Sequence, residues 1–219
     1  MPEGSKNTLI VRVFEDYNTT LLLGDYSNVF TALVFSTALH GGFKQANVSV
    51  AMTLPEAWLF LSQNKQGKGR HFAHLQIEDG TNVVWEGRIM DIGLSVESTF
   101  IGLNLGAFGY WSSMRDQYYD PDDTGNTNWK VGGPHVVSSI IKEMITQECP
   151  DINGTAGIDA NAQDVVGIDL TARAYPMDVI IDKLAPLSDT DNVPWYFSVW
   201  EDRKPDWSAR SLANVDWFV

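Results

Sequence analysis

Apolar and polar residues alternate repeatedly through the first half of the chain, and this alternation limits the folds that the chain can adopt. In TLIVRVFED, Leu9, Val11 and Val13 fall on one face of a strand, and ANVSVAMTL repeats the pattern with Val48 and Val50. A segment of period two buries one face and exposes the other, which is typical of a sheet that covers a core. This half of the chain is therefore predicted to be mainly β.

A double glycine interrupts the alternation. In FSTALHGGFKQANVSV, Gly41 and Gly42 follow an apolar run and precede small and polar residues in alternation. Glycine reaches backbone conformations that other residues avoid, and it lets a second backbone approach closely. No nucleophile, phosphate-binding loop or group of metal ligands surrounds the pair, so the pattern indicates a bend in a strand.

The clearest hairpin pattern lies in residues 71–94. HFAHLQIED and VVWEGRIMDIGLS are two strand patterns, and Gly80, Thr81 and Asn82 between them predict a three-residue loop. Gly87 lies inside the second strand, where glycine usually marks a bulge or the close approach of another backbone. The segment that follows, FIGLNLGAF, alternates in the same way and predicts a further strand.

The second half of the chain changes to helical periodicity. After DPDDTGNTNWKVGG, which is rich in turn formers, PHVVSSIIKEMITQE and YPMDVIIDKLAPL each place apolar residues at helical spacing. A last strand pattern, VPWYFSVWEDRK, has no obvious partner. We therefore predict a mainly β fold with an α+β element: a β-barrel or sandwich over residues 1–118, a linker loop over 119–133, and an α+β domain with a returning strand over 134–219.

The charge balance argues against nucleic-acid binding. Fifteen basic and 28 acidic residues give a formal net charge of −13. Binding through phosphates requires a concentrated basic face, and the sequence contains no run rich in lysine and arginine. The longest apolar run is too short to span a bilayer, and MPEGSKNT does not resemble a signal peptide. The chain is therefore expected to be made and kept in a cytoplasm until it is used.

The residue types that could carry chemistry do not group into a site. His40, His71, His74 and His135 are dispersed, and their spacing supplies no converging set of zinc ligands. Cys149 is the one cysteine, and its apolar neighbours predict a core residue at a helix end. We therefore expect no enzyme activity, no catalytic residue, no metal and no cofactor.

Two acidic patterns bear on this expectation. Asp120, Asp122, Thr124 and Gly125 begin like a calcium-binding loop, but Val131 stands where that loop requires a glutamate. A solvated acidic turn is the favoured interpretation. A glycosidase needs two carboxylates that flank one bond, and the candidates lie on unrelated segments: Glu56, Glu86 and Asp91.

Several of these segments together resemble the tail hub and baseplate proteins of bacteriophages. FSTALHGGFKQANVSV resembles the first part of their tube-like barrel, WEGRIMDI its recurrent strand of apolar residues, glycine and arginine, and FGYWSSMRD its closing strand and turn. PHVVSSIIKEMI and YPMDVIIDKLAPLSDTDNVPWYFSVWEDRK are similar to the insertion and the returning strand of those proteins. The likeness spans most of the chain, although such hubs are usually longer.

The resemblance implies a structural protein of the virion, located at the tail tip or baseplate and assembled in the host cytoplasm. It implies a ring of copies around the DNA channel, a trimer by likeness to hubs or a hexamer if the chain is closer to distal-tail proteins. The implied partners are tail tube, distal tail, tape-measure, and fibre or spike proteins, with DNA only in passage. The alternative is a carbohydrate-binding module or tail-associated glycan-binding protein, which the many aromatic residues and acidic loops favour.

On this hypothesis the glycines allow strands to bend and approach closely around a lumen; the alternative is an ordinary hairpin bend within one chain. The glycines concerned are Gly41, Gly42, Gly87 and Gly106. Negative walls repel phosphates, which predicts that some of five acidic residues face the lumen: Glu78, Asp79, Glu86, Asp91 and Glu97. The tryptophans would divide between core and subunit interface, with the core favoured for each: Trp85, Trp111, Trp129, Trp195 and Trp207.

Overall fold

The structure is a computed structural model that divides into two compact units. Unit 1 comprises Met1–Thr37 and Phe43–Gly109, and unit 2 comprises Ala38–Gly42 and Tyr110–Val219. Each unit is described by itself below. The structure describes residues 9–18, 21–62, 73–96, 101–119, 135–159, 164–165, 174–188 and 193–209.

Unit 1 is built from strands in one continuous sheet and a single described helix, α1 (Leu54–Ser62). The strands are β1 (Leu9–Phe14), β2 (Leu22–Asp25), β3 (Phe30–Ala38), β4 (Gly41–Met52), β5 (His74–Asp79), β6 (Asn82–Val96) and β7 (Ile101–Phe108). In spatial order they run β3, β4, β7, β6, β5, β1, β2. The pairings of β1, β5, β6 and β7 with their neighbours are antiparallel.

The core of unit 1 lies on one face of this sheet, as the period-two pattern predicts. Val11 and Val13 of β1 are fully buried, and so are Leu75 and Ile77 of β5, with which they pair. Trp85 of β6 lies opposite Ile77 and is also fully buried. The alternation therefore placed Val11 and Val13 in the core correctly, whereas Leu9 at the start of β1 is half-buried.

The hairpin between β5 and β6 is tighter than predicted. Asn82 pairs with Asp79, so the loop contains two residues, Gly80 and Thr81, and the predicted three-residue loop is wrong. Gly80 has a φ of 63° and Thr81 has a negative φ. A glycine at positive φ in the first loop position is the requirement of a type II′ turn, whose twist matches that of the flanking strands. Asn82, read as a turn former, is the first residue of the strand.

Unit 2 combines short strands with helices. The elements are β8 (His135–Val136), α2 (Val137–Glu148), β9 (Asp164–Val165), α3 (Pro176–Asp178), α4 (Ala185–Ser188), β10 (Trp195–Val199) and β11 (Pro205–Ala209). The predicted helices are confirmed: α2 is one, and the other is a continuous helical segment whose middle is a π-helix, Val179–Leu184. β8 pairs with β9, and β10 pairs antiparallel with β11.

Unit 2 has its own hydrophobic core. The apolar residues of α2 at helical spacing are buried, and they pack with Ile180 and Leu184 of the second helical segment and with Phe197 and Trp207 of the strands. Cys149, at the end of α2, is 1% exposed, which confirms its prediction as a core residue. The buried residues of α2 are Val137, Ile140, Ile141, Met144 and Ile145.

The predicted fold class, mainly β with a few helical elements, is confirmed. Tyr110–Arg115 form a 3₁₀ helix and belong to unit 2, whereas the sequence grouped them with the barrel. Residues 120–133 of the predicted linker lie outside the described part of the chain. None of the described helices is both long enough and apolar enough to cross a membrane.

Candidate functional site

The double glycine forms the bend of the hairpin between β3 and β4. β3 ends at Ala38 and β4 begins at Gly41, with a two-residue turn between them. Gly41 and Gly42 have φ values of 98° and 73°, in a region that side-chain-bearing residues rarely adopt. The pair therefore has the predicted bend in the form of a hairpin within one chain, which is the alternative interpretation, and curvature around a lumen stays a prediction.

Gly42 also allows a second backbone to approach. β10 runs parallel to the start of β4, with Ser198 opposite Gly41 and Val199 opposite Gly42. A Cβ at Gly42 would overlap the carbonyl oxygen of Val199 and lie 2.8 Å from its nitrogen. The returning strand, for which the sequence offered no partner, therefore pairs with the double glycine.

Gly87 has a similar role within the sheet of unit 1. A Cβ at this position would overlap the carbonyl oxygen of Phe108 and lie 2.6 Å from the ring of Trp85. The two register shifts of β6 occur elsewhere, between Val83 and Trp85 and between Ile89 and Asp91. Of the two roles considered for Gly87, the structure therefore shows close approach and not a bulge.

The outer edge of β3 is the most unusual feature of unit 1. Among the described strands, β3 pairs with β4 alone, so its other edge presents backbone N–H and C=O groups. None of its nine residues is buried, and Val34 at its centre is 66% exposed. Its sequence, FTALVFSTA, contains no charged residue and no proline. β3 is therefore a long, neutral edge without the devices that usually keep strand edges apart.

The other outer strands are protected. β2 has four residues and ends at Asp25, whose carboxylate accepts hydrogen bonds from Ser27 and Arg12. The Ser27 hydroxyl bond is the main cause that lowers the pKa of Asp25. Shortness and charge are both known protections of an edge. The same sheet therefore has a protected outer edge at β2 and an unprotected outer edge at β3.

The outer edge of β11, in unit 2, is covered. β11 begins with Pro205, which cannot donate to a neighbouring strand. The Trp207 N–H donates to the carbonyl oxygen of Gly157, and the Asp159 N–H donates to the carbonyl oxygen of Trp207, each at 3.0 Å. Of the described outer strands, only β3 combines length, neutrality and exposure.

α1 presents a second exposed apolar surface. Its start is fixed by a capping box, in which the Glu56 carboxylate accepts 2.8 Å hydrogen bonds from the Thr53 N–H and hydroxyl. These bonds lower the pKa of Glu56. The buried side of the helix carries Ala57 and Phe60, whereas Leu54 and Trp58, four residues apart on one face, are 52% and 56% exposed.

A groove of about 320 Å³ lies beside α1 within unit 1. Its walls come from β2, the turn that follows it, the end of β4, and α1, and they are mostly apolar. Leu59 and Val29 line it and remain 58% and 44% exposed. Sequence reasoning did not single out Leu54, Trp58 or Leu59; the helical spacing of Ala57 and Phe60 was the signal that could have found them.

The five acidic residues predicted to face a lumen occupy different environments. Glu86 is 5% exposed and lies 3.9 Å from His74, so it is not on an accessible surface of the chain. Glu78 accepts a 3.0 Å hydrogen bond from Arg12. Asp79 is half-buried, Asp91 is exposed, and Glu97 lies outside the described residues. Asp91 is thus the one of the four described that stands free on a surface.

The tryptophans follow the predicted preference for the core. Trp85 and Trp207 are fully buried, and Trp111 and Trp195 are half-buried. The rings of Trp195 and Trp207 lie 5.4 Å apart. Trp129 lies outside the described residues. The four described residues of this set therefore contribute to the unit cores, and Trp58 is the exposed tryptophan among the described residues.

The residues weighed for chemistry are also dispersed in space. His40 packs against the Tyr196 ring at 4.9 Å, and buried His74 packs against Phe14 at 5.9 Å. The backbone of His135 is in β8, and His71 and the calcium-like pattern at 120–125 lie outside the described residues. Within the described ranges, no group of three or more His, Cys, Asp or Glu side chains could hold a metal ion.

The chain is similar in structure to the 43 kDa tail protein of prophage MuSo2 from Shewanella oneidensis, with a TM-score of 0.58 and 11% sequence identity. The likeness covers 95% of this chain and 57% of that chain, so this chain spans little more than half of that protein's length. At this identity the likeness shows a shared fold. No protein-family model matches the chain, and no curated protein matches it in sequence.

Proposed function

We propose that this chain is a structural subunit of a bacteriophage tail, and that copies of it join into a ring around the DNA channel at the tail tip or baseplate. The exposed neutral edge of β3 carries the proposal, and the fold shared with a prophage tail protein supports it. In this role the chain connects the tail tube to distal tail proteins. The role requires no chemistry on a substrate.

The β3 edge fits assembly because a free strand edge is a template for another strand. The outer edge of this nine-residue strand favours association with a strand of a second chain, and neutral side chains such as Val34 and Thr37 do not oppose it. Two β3 edges that paired with each other would close a dimer, so the proposed ring requires the β3 edge to contact a different surface of the next subunit. Such a contact between unlike surfaces repeats until it closes into a ring. We expect a trimer, by likeness to hubs.

The exposed face of α1 supplies the kind of side chains that stabilise such a contact. Interface cores are enriched in aromatic residues, and tryptophan is the residue most often found at their energetic centres. Trp58 and Leu54 present one apolar face, and no described residue buries it. Other tail proteins, including tube and distal-tail subunits, are further candidates for this surface.

Substitution at the centre of β3 tests the proposal. Native mass measurement should show wild-type rings, and Val34→Lys should shift the protein to monomers because a lysine on an edge strand opposes pairing. Val34→Thr is the matched control, since it keeps a β-branched neutral residue and should still assemble. Val34 is exposed, so both changes should alter the free energy of unfolding by less than about 0.5 kcal/mol.

Two outcomes would contradict the proposal. If the wild-type protein stays monomeric across the concentrations tested, the proposed ring is wrong. If the Val34→Lys variant assembles like wild type, the β3 edge is not the contact between subunits. Glycan binding stays the alternative prediction. Quenching of tryptophan fluorescence by oligosaccharides, in a monomeric wild-type protein, would favour it.

A further inference from the structure

The sheet of unit 1 has a second face, opposite its core, that is accessible over three strands. Side chains of β4, β7 and β6 meet there in cross-strand rows, because partners in register point to the same side of a sheet. We call this surface the polar face. Its rows are Asn47–Gly106–Asp91, Ser49–Asn104–Gly93 and Ala51–Gly102–Ser95.

Side-chain positions agree with these rows. A Cβ at Gly106 would lie 3.3 Å from the Cβ of Asp91 and 3.8 Å from Oδ1 of Asn47. In the next row the Ser49 hydroxyl donates a 2.7 Å hydrogen bond to Oδ1 of Asn104. An amide and a hydroxyl on the polar face therefore bond to one another, and the glycines add no side chains to the surface.

The polar face is almost without charge. Asp91 is the one charged residue in the three rows, although charged residues make up 20% of the chain. The adjoining row contains Gln45, Phe108 and Arg88, and Arg88 is only 2% exposed. Ordinary solvent-facing surfaces mix charges of both signs at a higher density than this. The composition of this face therefore needs another explanation.

Stable contacts with proteins or nucleic acids do not explain it. Interface cores are enriched in aromatic residues, methionine and arginine, and the three rows contain none of them. Binding to DNA depends on lysine and arginine, which release counterions from phosphates. The face presents no such cation. Its composition suits a surface along which a polyanion moves without being held.

We infer that the polar face is the part of this subunit that lines the channel and that double-stranded DNA passes along it. The inference rests on the proposed function, because it requires a ring. Each subunit then contributes hydrogen-bonded amides and hydroxyls to the wall, together with one carboxylate, Asp91. The phosphates meet no fixed cation at which to stop, and Asp91 repels them weakly.

Lysines introduced on the polar face should make the channel bind DNA, and this binding can be measured. In the double variant Asn47→Lys/Asn104→Lys, both substitutions fall at exposed positions, so the ring should still form. Linear double-stranded DNA can thread through a ring, whereas closed circular DNA cannot. We therefore expect the variant ring to retain linear DNA at low salt and to leave closed circular DNA of the same length unbound. In a trimer the two lysines of each subunit add about six phosphate contacts. The affinity for linear DNA should therefore fall roughly a thousandfold as the salt concentration rises from 50 to 200 mM.

The matched control places two lysines at exposed positions of unit 2, in the variant Gln147→Lys/Asn153→Lys. This ring should not prefer linear over circular DNA, and the wild-type ring should retain neither. If the Asn47→Lys/Asn104→Lys ring binds circular and linear DNA alike, or binds neither, the polar face does not line the channel. That result leaves the proposed ring itself unaffected. If native mass shows no wild-type ring, the proposed function itself has failed.

Discussion

Replacing Gly42 by alanine tests how the double glycine organises unit 2. Two costs combine at this position. An alanine at a φ of 73° costs roughly 1–2 kcal/mol for the left-handed backbone conformation. Its Cβ would also overlap the Val199 carbonyl oxygen and lie 2.8 Å from the Val199 nitrogen, closer than real Cβ atoms approach backbone. Because the colliding atoms belong to a paired backbone, no side-chain rotation relieves the contact.

The second cost can be isolated with a matched glycine. Gly154 is also in unit 2 and has a φ of 71°, but a Cβ there would meet nothing within 4 Å. Gly154→Ala therefore carries the conformational cost alone, together with the same small entropic gain from a stiffer unfolded chain. The difference between the two variants measures the close approach of β10.

The magnitude follows from the contacts that must shift. Relieving the overlap moves β10 away from Gly41 and Gly42, which loosens the parallel pairing and the packing of Phe197 and Val199, both buried. Losing about two hydrogen bonds at roughly 1 kcal/mol each gives at least 2 kcal/mol beyond Gly154→Ala. For a chain of this size that lowers the melting temperature by a further 4–8 °C or so.

The assay is thermal unfolding followed by circular dichroism on wild type and both variants at the same concentration. We expect Gly154→Ala to melt slightly below wild type and Gly42→Ala well below Gly154→Ala. Equal melting temperatures for the two variants would refute the reasoning, because they would mean that β10 does not depend on the missing side chain at Gly42.

Two further predictions follow from pKa shifts. Hydrogen bonds from Thr53 hold the pKa of Glu56 below its ordinary 4.5, so this cap is intact above that pH and is lost as the pH falls through the lower folded value. Thr53→Ala removes the hydroxyl bond and should raise the pKa of Glu56 in an NMR titration; an unchanged pKa contradicts the capping box. Burial raises the pKa of the Cys149 thiol from 9.0 to about 12, so native protein at pH 8 should hold roughly a thousandfold less thiolate than unfolded protein. Labelling with iodoacetamide should be correspondingly slow until urea unfolds the chain, and equal rates would contradict its burial.

Local periodicity explains what the sequence predicted well. The apolar residues of α2 recur at helical spacing, and Ile140, Ile141 and Met144 are buried as that spacing requires. The strand alternation likewise placed Val48 and Val50 in the core. These features depend on residues a few positions apart, so the sequence contains the information directly.

Pairing between distant segments was not predictable in the same way. Nothing near VPWYFSVW in the sequence indicates that Ser198 and Val199 pair with Gly41 and Gly42. The double glycine signalled an unusual backbone, but not which strand would approach it. Such contacts depend on the closure of a long loop, for which alternation gives no register.

The acidic residues show a second limit. A count of two places Glu86 and Arg88 on one face of β6 and would place Asp91 on the other. The register shift between Ile89 and Asp91 instead brings Asp91 to the side of the rows that adjoin Arg88. Period-two patterning also does not indicate what covers the polar side of a strand. Glu86 was therefore predicted at a channel surface, whereas it is buried.

The acidity of the chain and the neutrality of the polar face are compatible with one role. A surface without fixed cations releases no counterions from DNA, so it gains no affinity whether it is neutral or negative. A dense carboxylate wall would add repulsion, but it would also collect divalent cations, which bridge carboxylates to phosphates. An amide that accepts a hydrogen bond from a neighbouring hydroxyl, as Asn104 does from Ser49, carries no charge with which to bind such a cation. The net charge of −13 can therefore reside elsewhere on the protein while the proposed channel wall stays almost uncharged.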